Sequence, residues 1–123
     1  MNEVQLADRT KAFALRIIRL VASLQKSREA DVLGKQLLRA GTSVGANYRE
    51  ARRGRSKADF AARIGVCLQE ADESLYWLEL LADSGIVRPN LLSALQAEAR
   101  ELVAIFAASA KTVGRRSDVA KTA

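Results

Sequence analysis

Apolar residues recur along the chain at intervals of three and four, the spacing that gathers one face of an α-helix. The first such row, Leu6, Phe13, Ile17, Val21 and Leu24, predicts a helix over residues 3–26, with Arg9, Arg16 and Arg19 directed elsewhere. Ser27 is placed to cap the start of a second helix, and Glu29 and Asp31 stand in its first turn, where the helix dipole favours acids. That helix is expected over 28–53, with Leu33, Leu37, Val44, Tyr48 and Ala51 as its apolar row. Gly34, Gly41 and Gly45 lie along one side of the row, and a mid-helix glycine costs about 1 kcal/mol relative to alanine. Three such costs point to a neighbouring helix packed close rather than to a break, because the periodicity runs on through Tyr48.

Gly54 reads as the C-terminal cap of helix two, and Ser56-Lys57-Ala58-Asp59 as a near capping box for helix three. Helix three is expected to end near residue 84, with Gly85 as its stop, and its core row is Phe60, Ile64, Cys67, Ala71, Leu75, Leu78 and Ala82. A second row, Asp59, Arg63, Val66, Glu70, Glu73, Trp77 and Leu80, lies far around the same helix, and residues 75–81 are apolar nearly all round. One small bundle cannot bury every side of a peripheral helix, so self-association is expected. Pro89 pre-sets the first turn of helix four, whose face of Leu92, Leu95, Ala99, Leu102, Ile105, Phe106 and Ser109 carries it to about residue 111. The segment 112–123, with Gly114, Arg115, Arg116 and Lys121, is expected as a frayed basic tail. Short turns between long helices imply one all-α domain over 1–111, an antiparallel up-down-up-down four-helix bundle.

Composition narrows the chemistry. About half the residues are hydrophobic but only 5% are aromatic, so the core is aliphatic. There is no histidine, which excludes Ser-His-Asp and Cys-His catalysis, Cys/His zinc sites and the Glu-x-x-His pairs of di-iron bundles. The single cysteine, Cys67, cannot form an intramolecular disulfide and falls in a core row, where it serves as a small hydrophobe. No apolar run approaches the roughly twenty residues of a membrane span, and the amino terminus lacks a signal-peptide pattern, so a soluble cytoplasmic protein is expected.

The net charge of +6 allows an anionic partner, though a solvated basic surface would read the same way. The charge concentrates at Arg49, Arg52, Arg53, Arg55 and Lys57, with Glu50 alone among them. One or two cations at a helix C-terminus are explained by its dipole, but five in one corner are not. Such a corner would hold a phosphate backbone without reading sequence. A polar row, Arg39, Ser43, Asn47 and Glu50, flanks the apolar row of helix two. In a tight hairpin it places Arg39 opposite Glu70 or Glu73 and Asn47 near Arg63, as ion pairs within or between subunits. Glu70 and Glu73 look like half a carboxylate metal site, but with cations beside them and no histidine neither a metal nor a cofactor is expected.

These same residues resemble the bacterial family of 23S rRNA intervening-sequence proteins. The likeness is sharpest over residues 36–44 and Asn47-Tyr48-Arg49-Glu50-Ala51, and again at Ser56-Lys57-Ala58-Asp59-Phe60 and residues 69–78, with Asn47, Glu50, Phe60, Glu70 and Glu73 at signature positions. Many members carry Asn-Ile-Ala-Glu-Gly where this chain has Asn47-Tyr48-Arg49-Glu50-Ala51, which adds a charge and removes a glycine. The resemblance implies an antiparallel bundle assembled as a homopentameric ring, with no known enzymatic activity. Accessory variability proteins of diversity-generating retroelements look similar in fold, and they are basic pentamers that associate with a reverse transcriptase and nucleic acid.

The expected function is therefore a non-catalytic, basic oligomer that contacts RNA or DNA backbone, with service as an accessory to a nucleic-acid enzyme one form that role could take. The alternative is a protein-interaction scaffold, in which Trp77 and the outer face of helix three make the ring and the basic corner is merely solvated.

Overall fold

The computed structural model describes the backbone of residues 1–122 and the side chains of residues 1–114. Four helices follow in order: α1 Glu3–Ser23, α2 Arg28–Arg52, α3 Lys57–Asp83 and α4 Pro89–Thr122. No strand occurs among the described residues.

The first three helix starts are each fixed by a side chain that accepts from an otherwise unbonded amide. Ser27 accepts from Ala30 N at 3.0 Å and Ser56 from Asp59 N at 3.1 Å. At α1 the capping box is complete, although nothing in the apolar pattern announces it: Asn2 Oδ1 accepts from Gln5 N and Gln5 Oε1 from Asn2 N. α1 stops at Ser23, three residues short of the expected end, with Leu24 in an extended conformation as its C-cap.

Gly54 departs from its expected role. A C-terminal glycine cap is normally left-handed, but the described residues hold one positive φ, at Gly85 (78°). α2 instead closes through Arg53, whose amide donates to the Ala51 and Glu50 carbonyls. Gly85 does stop α3, with its amide donating to Ala82 O at 3.1 Å. α4 remains helical past residue 111 to Thr122, so the backbone of the segment expected to fray is helical up to there. The side chains of Arg115, Arg116 and Lys121 lie outside the described residues.

The core is the predicted one in outline. Phe13, Ile17, Leu37, Val44, Ile64, Cys67, Ala71, Leu78, Leu92, Ala99, Leu102 and Phe106 are all buried to within 1% exposure. Tyr48 of α2 meets Phe106 of α4 with ring centroids 5.8 Å apart. α2 runs unbroken through its glycines, and α1 explains them. A methyl group on Gly41 would lie 2.8 Å from Ile17 Cγ1, one on Gly45 3.2 Å from Thr10 Oγ1, and one on Gly34 3.2 Å from Leu24 Cδ1. The glycines thus let two backbones approach along a whole seam.

α1 and α4 approach each other less closely than the other neighbours do. Arg9 spans that seam, donating through Nε to Glu98 Oε2 at 2.8 Å and through Nη2 to Glu98 Oε1 at 2.6 Å, and reaching Glu101 as well. The guanidinium holds the half-buried Glu98 carboxyl below its usual range, against the upward pull of burial. A carboxyl whose pKa falls on folding stabilises the fold above its ordinary titration range, and that contribution fades as pH drops through the folded value. Arg9→Gln is therefore expected to cost about 1–2 kcal/mol in urea unfolding at pH 7. The gap from the unaltered protein should close in acid, once Glu98 is protonated in both. A gap that is the same at pH 7 and pH 3 would place the effect in packing instead.

Candidate functional site

Two groups of polar residues face outward from α2 and α3, and they differ in how their charge is used. In the first, Arg39 donates through Nη1 to Glu70 Oε2 at 3.2 Å and through Nη2 to Glu73. Glu73 Oε1 also accepts from Trp77 Nε1 at 3.1 Å, and Trp77 meets Tyr76 edge-on with centroids 5.3 Å apart. Further along the same pair of helices, Arg63 Nη1 donates to Asn47 Oδ1 at 3.2 Å, while Asn47 Nδ2 is tied to Ser43 O at 2.9 Å. The Arg39 and Arg63 bonds join α2 to α3 within one chain, while Asn47 to Ser43 and Trp77 to Glu73 each stay within one helix and hold the partner side chain in place. Their chemistry is registration: each donor meets an acceptor, and the pairing fixes how far one helix slides along the other.

The second group is the basic corner where α2 turns into α3. Arg49, Arg52, Arg53, Arg55 and Lys57 are all exposed, as is Glu50. Among the described residues, only Arg52 of the five comes within 4 Å of a carboxylate, and Glu3 is at 3.9 Å. Arg9 and Arg39 are neutralised by two carboxylates each, whereas this corner is left largely unneutralised. α2 places Arg49, Arg52 and Arg53 on one side by their spacing, and the short turn brings in Arg55 and Lys57.

Beside the corner runs a groove of about 390 Å³ between α1 and α2. Its floor is small: Ala7, Thr10 and Ala14 from α1, and Thr42, Gly45 and Ala46 from α2. Lys11 stands on one bank and Arg49 and Arg52 on the other, with Asp8 the one acid in the lining. Lys11 was not among the residues expected from the sequence. The available signal was the run of small residues on two helices that have to pack.

Cys67 is fully buried, and burial pushes its thiol up to about 12, which suits a core residue and not a nucleophile. Among the described residues no group of three or more acidic or thiol side chains could hold a metal. None of the helices, over the described residues, is long and apolar enough to cross a membrane.

Four helices around an aliphatic core, with paired charges on one flank and unneutralised cations at one corner, define an all-α four-helix protein. The family model described as 23S rRNA-intervening sequence protein matches residues 2–108, and the chain belongs to that family. A solved structure from Bacteroides thetaiotaomicron, described as a protein of unknown function from the S23 ribosomal protein family, is similar over 90% of this chain and 99% of its own. The two share 34% identity with a TM-score of 0.83. No curated protein matches the sequence.

Proposed function

We propose that the protein is a non-catalytic polyanion-binding bundle that holds RNA or DNA by its phosphates through the corner Arg49, Arg52, Arg53, Arg55 and Lys57. The observation that carries this reading is the contrast between arginines. Arg9 and Arg39 are committed to carboxylates, whereas four cations of the corner have none within 4 Å among the described residues. Concentrated exposed charge without internal partners lowers its own free energy by taking up phosphate and releasing counterions. The residues that meet between helices, such as Ile17 with Gly41 and Arg63 with Asn47, support an antiparallel up-down-up-down arrangement. In a homopentameric ring, the assembly proposed for it, five such corners would add into one positive rim. Service beside a nucleic-acid enzyme in the cytoplasm fits that role.

Replacing Arg52, Arg53 and Arg55 with alanine together is expected to weaken binding of labelled RNA and DNA about tenfold or more at low salt. The slope of log K against log salt should flatten by about 0.7–0.9 for each phosphate that is no longer neutralised. Fluorescence titration at two salt concentrations checks this, with assembly mass recorded alongside. Affinity and slope equal to the unaltered protein would remove the corner from the function.

A second reading has its own observation: Tyr76 is 53% exposed and joined to the half-buried Trp77. Aromatic side chains of this kind anchor protein interfaces. A stable assembly that takes up no nucleic acid in the same titration would make the protein a scaffold built through α3.

A further inference from the structure

We infer that the groove between α1 and α2 holds a single strand of nucleic acid by its phosphates, with the bases turned outward. This rests on the polyanion reading above and narrows it to one surface and one form of ligand. Arg53 and Arg55 are exposed and lie outside the groove lining, and they would meet single strands and duplexes alike. The groove is different, because its cations stand on both banks. Lys11 projects from α1, and Arg49 and Arg52 from α2, so a phosphate lowered between them meets positive charge from two sides.

Width selects the ligand. Thr10 fills the place where a Gly45 side chain would stand, 3.2 Å from its added methyl group, so the two helices are in close contact. Packed helices lie about 8–10 Å apart between axes, so one flexible sugar–phosphate strand can follow both banks, whereas a stiff duplex, far wider than the groove, can set only a few phosphates of one strand along them. The small floor lets that strand approach the helix surface.

The floor also decides what is read. Thr10 Oγ1 donates to Ala7 O at 2.9 Å and Thr42 Oγ1 to Leu38 O at 2.7 Å, so both hydroxyl protons are committed. No aromatic ring lines the groove, so no base is stacked there. Without stacking, and with Lys11, Arg49 and Arg52 engaged by phosphates, affinity is ionic, steeply salt-dependent and indifferent to sequence. Asp8 is the opposing charge in the lining and limits how tightly phosphate is held.

The test is fluorescence anisotropy with labelled RNA and DNA of one mixed sequence, each single-stranded and as duplex, at two salt concentrations. The unaltered protein is expected to prefer single strands. Ala46→Trp, at an exposed floor position, fills the groove without touching the core and should weaken single-strand binding about tenfold or more. Lys11→Glu should weaken it and flatten the salt slope, whereas Asp8→Asn should tighten it severalfold. Arg53→Ala with Arg55→Ala should cost less than Ala46→Trp. Helical circular dichroism confirms that each variant is folded, and Lys11→Glu carries the test if Ala46→Trp is not. Unchanged binding in folded Ala46→Trp and in Lys11→Glu, with weakened binding in the Arg53/Arg55 variant, would overturn the groove while leaving the polyanion reading intact. No binding by the unaltered protein at low salt would overturn both.

Discussion

Gly41→Val will lower the unfolding free energy by about 3 kcal/mol. A methyl group at this position already meets Ile17 at 2.8 Å and 2.9 Å, and those atoms are not the far end of a flexible chain. They are Cγ1 and Cγ2 of a β-branched residue that is itself fully buried, so α1 has to move bodily away from α2. Helix propensity works in the other direction, since any residue but proline is a better helix former than glycine, but it recovers less than about 1 kcal/mol. Gly41→Ala should therefore be milder than valine. Ile17→Ala alone should cost about 2–5 kcal/mol by leaving a cavity. Combined with Gly41→Val it should cost less than the two separate substitutions together, because the new side chain occupies the space vacated. Urea unfolding followed by helical circular dichroism, at one protein concentration throughout, measures the unaltered protein and each variant. A Gly41→Val protein as stable as the unaltered one would mean that α1 is free to shift.

Phe106→Ala is the second large effect, a cost of about 3–5 kcal/mol. Phe106 is fully buried and its ring meets Tyr48, so truncation opens a cavity and removes an aromatic pair that joins α4 to α2. Against a total stability that for such a domain is about 5–15 kcal/mol, this is a large fraction. A fall in Tm of more than about 10 °C is expected at fixed protein concentration. Phe106→Leu, which keeps most of the volume, should cost much less. Equal costs from the two substitutions would show that ring geometry, not cavity volume, sets the effect.

Much of the fold was legible because each helix carries its own local instructions. Ser27 and Ser56 are caps whose partners lie three residues away, and the apolar rows need only a period. The glycines of α2 gave notice of a close neighbour without saying which one, since Ile17 and Thr10 become their partners only after folding. Gly54 misled for a related reason: glycine permits a left-handed cap but does not require one, and here the Arg53 amide closes the helix first.

The polar groups divide in the same way. Arg39 with Glu70 and Glu73, and Asn47 with Arg63, followed from one hairpin and its length, so their pairing could be expected before folding. Arg9 with Glu98 and Glu101 joins helices about ninety residues apart and depends on the register of α4 against α1, which no local pattern encodes. Lys11 escaped notice on the same grounds, because it gains significance only from Arg49 and Arg52 across the groove.

The amino terminus brings a practical consequence. Met1, Asn2 and Glu3 share a small cavity with Tyr48, Phe60 and Ile105, and Glu3 lies beside Arg52. A purification tag or fluorophore attached there would emerge next to the cationic corner. An acidic tag would screen it from within, and a polyhistidine tag would add a charge that changes with pH as its imidazoles titrate. Either would corrupt a titration meant to count charges, so the chain should be assayed with no tag beside Glu3, and with the label carried by the nucleic acid.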